Sequence, residues 1–95
     1  MSEDKIGPIH PGEHLLEFLG EFDLDAQRLA RELHISPQSI EDIIDAKKAI
    51  TADTALRLGR YFGTTSQFWM NLQIGYDLAV ARQMLDIETI HPLAA

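Results

Sequence analysis

The chain has 95 residues, of which 45% are apolar, and it carries a formal net charge of −7 with no cysteine. This length suits one domain, residues 1–95, whose core needs no metal or disulfide to hold it together. The lack of cysteine excludes disulfides and thiolate nucleophiles. No apolar run reaches the roughly 20 residues of a membrane span, and the charged start, Met1–Lys5, has no apolar stretch of a secretory signal behind it. We therefore expect a cytoplasmic protein that does not enter a membrane.

Acidic and basic residues are unevenly distributed along the chain. Residues 1–24 hold six acids against one lysine, whereas residues 25–62 hold six acids and six bases. The bases of this middle region come in close pairs, which are Arg28/Arg31, Lys47/Lys48 and Arg57/Arg60. A negative net charge disfavours binding to nucleic-acid phosphates. A protein whose positive charge is concentrated in one region can still bind DNA through that region.

Five helices are predicted, with no strand-like alternation of apolar residues. The first begins near Pro11, because proline suits the first turn of a helix. Its apolar face is formed by Leu15, Leu16, Phe18 and Leu19. The second helix runs from about Ala26 to Leu33, with Asp25 as its N-cap. Its inner face is formed by Leu29, Ala30 and Leu33.

The third helix has the strongest start signal in the sequence. Ser36 is an N-cap residue, and Pro37 follows at the first helical position, where its missing N–H costs nothing. The apolar side is Ile40, Ile43 and Ile44, at helical spacing, and the exposed side is Gln38, Ser39, Glu41, Asp42 and Asp45.

Two further helices and a tail complete the chain. The fourth helix follows the N-cap Thr51 and ends at Phe62 before Gly63, and its buried side is predicted to be Ala55, Leu56, Gly59 and Phe62. The fifth begins after Thr65 or Ser66 and reaches about Met84, with an apolar stripe of Phe68, Trp69, Leu72, Tyr76 and Val80. Trp69 is expected in the core rather than as a stacking platform for bases. The tail, from Asp86 to Ala95, is expected to be extended or loosely ordered.

The second and third helices are separated by a very short connection, His34 and Ile35 before the cap. This spacing is typical of a helix-turn-helix, here about residues 25–46, whose second helix enters the major groove of DNA. Gln38 and Ser39 are the candidate base-contacting residues, because amide and hydroxyl groups can hydrogen-bond to base edges. The candidate phosphate-contacting residues are Gln27, Arg28, Lys47 and Lys48.

Charge on the third helix leaves alternatives open. Glu41, Asp42 and Asp45 would repel DNA phosphates. They could instead form a solvated face, with Asp42 or Asp45 paired to Lys47 or Lys48. Arg28 could pair with Glu32 four residues on, and Arg57 and Arg60 could face a partner subunit or nearby acids.

No catalytic, metal or cofactor site is predicted. The string His10–His14 contains two histidines, but its proline and glycine break the helix that a zinc-binding His-Glu-x-x-His pair requires. We expect it to form the start of the first helix. No phosphate-binding loop and no serine, histidine and acid arrangement that could be placed in space is present, so an enzyme is not expected.

The chain resembles the HigA (also called VapI) family of antitoxins, within the phage-repressor-like helix-turn-helix group. The resemblance covers about residues 8–93 and rests on HPGE at 10–13, ITADTALRL at 50–58, FWMNLQ at 68–73 and YDL at 76–78. It implies an all-α, five-helix domain that forms a homodimer. It also implies repression of its own operon at a palindromic operator and neutralisation of an mRNA-cleaving toxin protein. Relatives usually carry glycine at the positions of His34 and Ala46.

Two other functions remain open at this stage. One is a solitary transcription regulator, which would differ from the antitoxin only in lacking a toxin partner. The other is a protein-interaction module that has lost DNA binding because of its acidic third helix. The sequence leaves the dimer interface open, and the fifth helix and the tail are candidates for it, because their apolar residues exceed what one small core needs. These residues are Phe68, Tyr76, Val80, Ile87, Ile90 and Leu93.

Overall fold

The structure is a computed structural model, and it describes residues 7–94. The expectation about a secretory signal at Met1–Lys5 lies outside this range. Five helices follow in chain order: α1 (Pro11–Glu21), α2 (Ala26–Leu33), α3 (Pro37–Ile44), α4 (Ala52–Phe62) and α5 (Ser66–Met84). The described residues contain no strand, so the all-α prediction with five helices is confirmed.

Each helix begins at a side-chain cap, which explains why its start could be predicted. The side chains of Asp25, Ser36, Thr51 and Thr65 accept hydrogen bonds from backbone N–H groups three residues on. His10 caps α1 in the same manner, because its Nδ1 accepts from the N–H of Gly12 at 2.9 Å. The interpretation of His10 as a helix start is therefore confirmed.

The core is a single cluster to which all five helices contribute. Its fully or nearly buried apolar members are Leu15, Leu19, Leu29, Ala30, Leu33, Ile40, Ile43, Ile50, Ala55, Leu58 and Trp69. Trp69 is completely buried, and its ring lies 5.0 Å from that of Phe18. Its indole N–H donates to the Thr64 hydroxyl at 2.8 Å, so its polar atom is satisfied. Trp69 is thus a core residue, as predicted.

Two predicted core positions are wrong. Leu56 is 63% exposed, and Leu58 is buried in its place. Leu58 lies three residues after Ala55 and four before Phe62, so it shares their face, whereas Leu56 is turned by about 100° from Ala55. Leu16 is 54% exposed, because α1 turns Leu15 and Leu19 inward.

The start of α1 is pressed against the end of α3. A Cβ atom at the buried Gly12 would lie 2.0 Å from the carbonyl oxygen of Ile43. Only glycine permits this approach. The contact fixes the C-terminal end of α3, and the lysine-bearing segment that follows, on the body of the protein.

The tail differs in part from the extended conformation that was predicted. A short 3-10 turn spans Ile87–Thr89, and its hydrogen bonds run from Thr89 N to Asp86 O and from Ile90 N to Ile87 O. The apolar side chains of the tail are uncovered, and so are several on the second half of α5. Those exposed are Ile74, Leu78, Met84, Leu85, Ile87, Ile90 and Leu93.

Candidate nucleic-acid interface

The turn between α2 and α3 is held by a side chain from α4. His34 ends α2 with φ 63° and ψ 41°, the left-handed conformation that usually requires glycine. The Arg57 guanidinium donates to the carbonyl oxygen of Leu33 at 2.7 Å and also pairs with Asp53. The hydrogen bond from Arg57 lowers the pKa of the Asp53 carboxyl. Arg57 therefore satisfies a free carbonyl at the end of α2 and fixes the angle at which α3 follows.

The N-terminal turn of α3 separates a buried side from an exposed one. Ile40 and Ile43 are buried, whereas Gln38 is exposed. Ser39 is half-buried, and its hydroxyl lies 2.9 Å from that of the cap residue Ser36. Gln38 is thus free to approach a ligand in front of the helix, while Ser39 shares its hydroxyl with the cap.

Asp42 joins Gln38 to the lysine pair that follows α3. Its carboxylate accepts a hydrogen bond from Gln38 Nε2 at 2.9 Å and lies 3.7 Å from the ammonium of Lys48. Its backbone carbonyl accepts from the N–H groups of Lys47 and Lys48 at 2.7 and 3.1 Å. The predicted alternative in which Asp42 pairs with a lysine is therefore confirmed for Lys48. The i,i+4 spacing of Gln38 and Asp42 is the signal that could have revealed this role.

The remaining candidate phosphate contacts differ in whether an acidic side chain already pairs with them. Gln27 is exposed near the start of α2, and within residues 7–94 the Lys47 ammonium makes no ion pair. Arg28 pairs with Glu32 at 3.3 Å, as the i,i+4 spacing suggested. Glu32 also accepts from the Tyr61 hydroxyl, and this hydrogen bond, followed by that from Arg28, lowers the pKa of the Glu32 carboxyl.

The side of the molecule formed by α1 is acidic. Glu13, Glu17 and Glu21 are all exposed at i,i+4 spacing, so their carboxylates form a row along the helix. Among the described residues, no lysine or arginine pairs with this row. Negative charge is thereby concentrated on α1, while α3 and its lysine segment carry charges of both signs.

Within residues 7–94, no group of three or more histidine or acidic side chains is arranged to hold a metal ion. No helix in that range is both long and apolar enough to cross a bilayer.

Comparison with known proteins identifies the family. No protein-family model matches the sequence. Virulence-associated protein I of Dichelobacter nodosus is 47% identical over 94 residues, covering 97% of this chain and 87% of that protein. A Pseudomonas aeruginosa protein solved in complex with its operator DNA is 49% identical, with a TM-score of 0.88 over 93% of this chain and 99% of that one. The Pseudomonas aeruginosa antitoxin HigA, solved with the higBA promoter, is 50% identical, with a TM-score of 0.85 over 90% and 98% of the two chains.

This chain belongs to the HigA family of helix-turn-helix antitoxins. Its departures from the HigA pattern can be located in the fold. The resemblance implies glycine at the positions of His34 and Ala46, and both residues have a positive φ of 63°. Both residues therefore adopt a left-handed conformation that favours glycine. Of the three carboxylates on α3 and its C-terminal cap, Glu41 and Asp45 are exposed, and Asp42 is half-buried beside Lys48.

The candidate site residues of this HigA-family chain fall into two groups. Gln38 and Lys48 are joined through Asp42, and the backbone of Lys47 is tied to the same residue. Gln27 and Arg28 lie on α2 and make no direct contact with that group among the described side chains. The sequence indicated the pairing of Asp42 with a lysine and of Arg57 with a nearby acid. It did not indicate the hydrogen bonds that Gln38 donates to Asp42 and that Arg57 donates to Leu33.

Proposed function

We propose that this protein is a DNA-binding antitoxin that represses its own operon and neutralises an mRNA-cleaving toxin. The observation that carries the proposal is the exposed N-terminal turn of α3, on which Gln38 is accessible while Ile40 and Ile43 hold the opposite side in the core. Relatives solved with operator and promoter DNA support it. In this proposal the protein works in the cytoplasm, by binding and not by catalysis.

The proposed mechanism is insertion of α3 into the major groove. Gln38 and Ser39 contact base edges, which supply sequence selectivity. Gln27, Arg28, Lys47 and Lys48 contact phosphates, which supply affinity that falls with salt. A homodimer places two such helices on a palindromic operator, with half-sites about one helical turn, ~34 Å, apart.

The exposed apolar residues of α5 and the tail support the homodimer. Seven large apolar side chains between residues 74 and 93 are uncovered in the monomer, and large exposed apolar patches mark interaction sites. Sedimentation equilibrium tests the assignment with two matched leucines, Leu78 of α5 and Leu56 of α4, which are 49% and 63% exposed. Leu78→Asp is expected to yield monomers and Leu56→Asp to remain dimeric. Dimers in both variants would contradict the assignment.

Fluorescence anisotropy tests DNA binding directly. The protein is titrated against duplex DNA from upstream of its own coding region and against a scrambled duplex, at low and moderate salt. Selective binding that weakens with salt is expected. Gln38→Ala should reduce selectivity, and Lys47→Ala should weaken binding to both duplexes. No binding to either duplex by the folded protein would refute the proposal.

A second candidate function is favoured by Glu41 and Asp45. Glu41 on α3 and Asp45 at its C-terminal cap are both exposed and have no cationic partner among residues 7–94. A module that uses this acidic surface to bind a basic protein would be indifferent to DNA even at low salt. The same anisotropy titration distinguishes the two functions.

A further inference from the structure

The amide of Gln38 is oriented by its neighbour on α3. A carboxylate can only accept hydrogen bonds, so the group of Gln38 that faces Asp42 Oδ1 at 2.9 Å must be the NH2 group. One N–H is used in this bond. The carbonyl oxygen and the second N–H of Gln38 remain available on the exposed side of the helix.

The Asp42 side chain is itself held in place. It is only 17% exposed, and its second oxygen lies 3.7 Å from Lys48 Nζ. Its backbone carbonyl accepts from both Lys47 and Lys48. The carboxylate therefore has little freedom to release Gln38, and its charge is partly compensated before any DNA arrives.

One acceptor and one donor, side by side, match the major-groove edge of adenine. Adenine offers an acceptor at N7 and a donor at its N6 amino group, whereas guanine offers two acceptors, N7 and O6. An unrestrained glutamine could turn its NH2 group toward guanine. With one N–H bound to Asp42, Gln38 would set its carbonyl oxygen against guanine O6, which is repulsive.

We infer that Asp42 is a positioning residue that makes Gln38 select adenine over guanine. The inference rests on the proposed function, because it concerns the same DNA-contacting helix. It also gives one of the three carboxylates on α3 a role beyond repelling phosphates. Asp42 acts on base selectivity through Gln38, while Glu41 and Asp45 act only through their charge.

The test begins by locating the base pair that Gln38 contacts. Each A·T pair of the bound upstream duplex is replaced by G·C in turn, and binding of wild type and of Gln38→Ala is measured by anisotropy. Wild type is expected to lose about tenfold or more at one pair per half-site, and Gln38→Ala is expected to lose that discrimination. If no pair behaves in this way although wild type binds selectively, the inference is wrong and the proposed function stands.

Three variants that each remove one negative charge then separate positioning from electrostatics. Asp42→Ala, Asp42→Asn and Asp45→Ala should all bind both duplexes more tightly, because each removes a carboxylate close to phosphates. Only Asp42→Ala should reduce the ratio of the affinity for the A·T duplex to that for the G·C duplex (the adenine-to-guanine ratio), to about the value of Gln38→Ala. The amide oxygen that Asp42→Asn introduces can accept the same hydrogen bond, so this variant should retain the ratio, as should Asp45→Ala.

The outcomes distinguish a failure of the inference from a failure of the proposed function. An adenine-to-guanine ratio in Asp42→Ala equal to that in Asp45→Ala overturns the inference, and so does a failure of Asp42→Asn to retain it. Absence of selective binding by wild type overturns the proposed function and the inference with it. Circular dichroism establishes that each variant is folded.

Modified DNA tests the same geometry without any variant. At the identified pair, 7-deazaadenine removes the N7 acceptor, and unsubstituted purine removes the amino donor. Wild type is expected to bind each modified duplex several-fold more weakly, because Gln38 uses both groups. Indifference to either substitution overturns the inference.

Discussion

The side-chain carbonyl of Gln73 accepts a hydrogen bond from the backbone N–H of Ile50 across 2.7 Å. Gln73 belongs to α5, and Ile50 lies in the segment that follows the lysine pair. Both residues are buried, and the Gln73 NH2 group donates to Asp77 at 2.9 Å. Through this bond α5 holds in place the segment that carries Lys47 and Lys48.

Loss of the Gln73 carbonyl is expected to destabilise the fold. In Gln73→Ala the N–H of Ile50 is left buried without a partner, which costs about 1–3 kcal/mol. Gln67 of the same helix is the matched control, because it makes an i,i+4 bond of 2.9 Å to Asn71 but is exposed. Its replacement by alanine should change the free energy of unfolding by no more than about 0.5 kcal/mol. Urea unfolding of both variants is the measurement, and equal losses would contradict the prediction.

Replacement by alanine should change the free energy of unfolding in opposite directions at two glycines. Gly12→Ala places a Cβ 2.0 Å from the Ile43 carbonyl oxygen, so α1 and α3 must separate and the protein loses several kcal/mol or fails to fold. Gly75 lies within α5 with nothing within 4 Å of an added Cβ. Gly75→Ala should raise the free energy of unfolding by about 0.5–1 kcal/mol. Thermal melts of the two variants test both signs, and stabilisation of Gly12→Ala would refute the close contact.

Replacement of Ala46 by glycine should stabilise the fold. Its φ of 63° costs a non-glycine residue about 1–2 kcal/mol, part of which is offset by the greater freedom of glycine in the unfolded chain. Ala46→Gly is expected to raise the free energy of unfolding by about 0.5–1 kcal/mol. The control is Ala81→Gly within α5, which should lower it by a similar amount. A loss of stability in Ala46→Gly would show that its backbone carries no strain.

Stability should fall in mild acid because of His10. Burial is the largest influence on its imidazole and lowers the pKa of His10, although a hydrogen bond to the Lys48 backbone and the nearby Asp77 and Glu13 act in the opposite direction. The unfolded state therefore binds a proton more readily than the folded state. Stability is fully present above the usual value of 6.5, and it declines as the pH falls toward the pKa of the folded state.

Asparagine at position 10 tests this dependence. His10→Asn keeps a side chain that can cap α1 but cannot be protonated in this range, so the slope of stability against pH below 6.5 should flatten. His91→Asn, in the exposed tail, controls for the loss of an imidazole. Urea unfolding at several pH values measures the slopes, and an unchanged slope in His10→Asn would exclude His10 as its source.

Helix starts could be predicted from sequence because their causes are local. Asp25, Ser36 and Thr51 each bond a backbone N–H only three residues away. Pro37 restricts its own backbone to a helix-compatible φ. The left-handed turn at His34 also has a local cause, since only three residues separate α2 from α3 and a left-handed residue commonly ends a helix at such a turn.

Residues whose roles depend on distant partners could not be predicted in this way. The contact of Arg57 with Leu33 spans 24 residues, and the Gln73 bond to Ile50 spans 23. Leu56 is a different case, because helical spacing alone places Leu58, and not Leu56, on the face of Ala55 and Phe62. The packing of α4 against α2 and α5 buries that face. The sequence predicts only the charge of Asp42 and its possible pairing with a lysine. Its hydrogen bond with Gln38 depends on the rotamers of Gln38 and Lys48.

The carboxylate row of Glu13, Glu17 and Glu21 affects how a repressor distributes between its operator and non-specific sites on the chromosome. A genome offers on the order of 10⁶ competing non-specific sites, which retain any protein that is positive on many sides. Here a duplex that approaches α1 is repelled, which disfavours non-specific contacts through that side of the molecule. A smaller fraction of the protein is then bound at non-specific sites than if α1 were positively charged. Under the proposed function, occupancy of the operator then follows the concentration of free antitoxin closely. A partner that captures the antitoxin lowers this occupancy without first drawing on antitoxin that is bound to non-specific DNA.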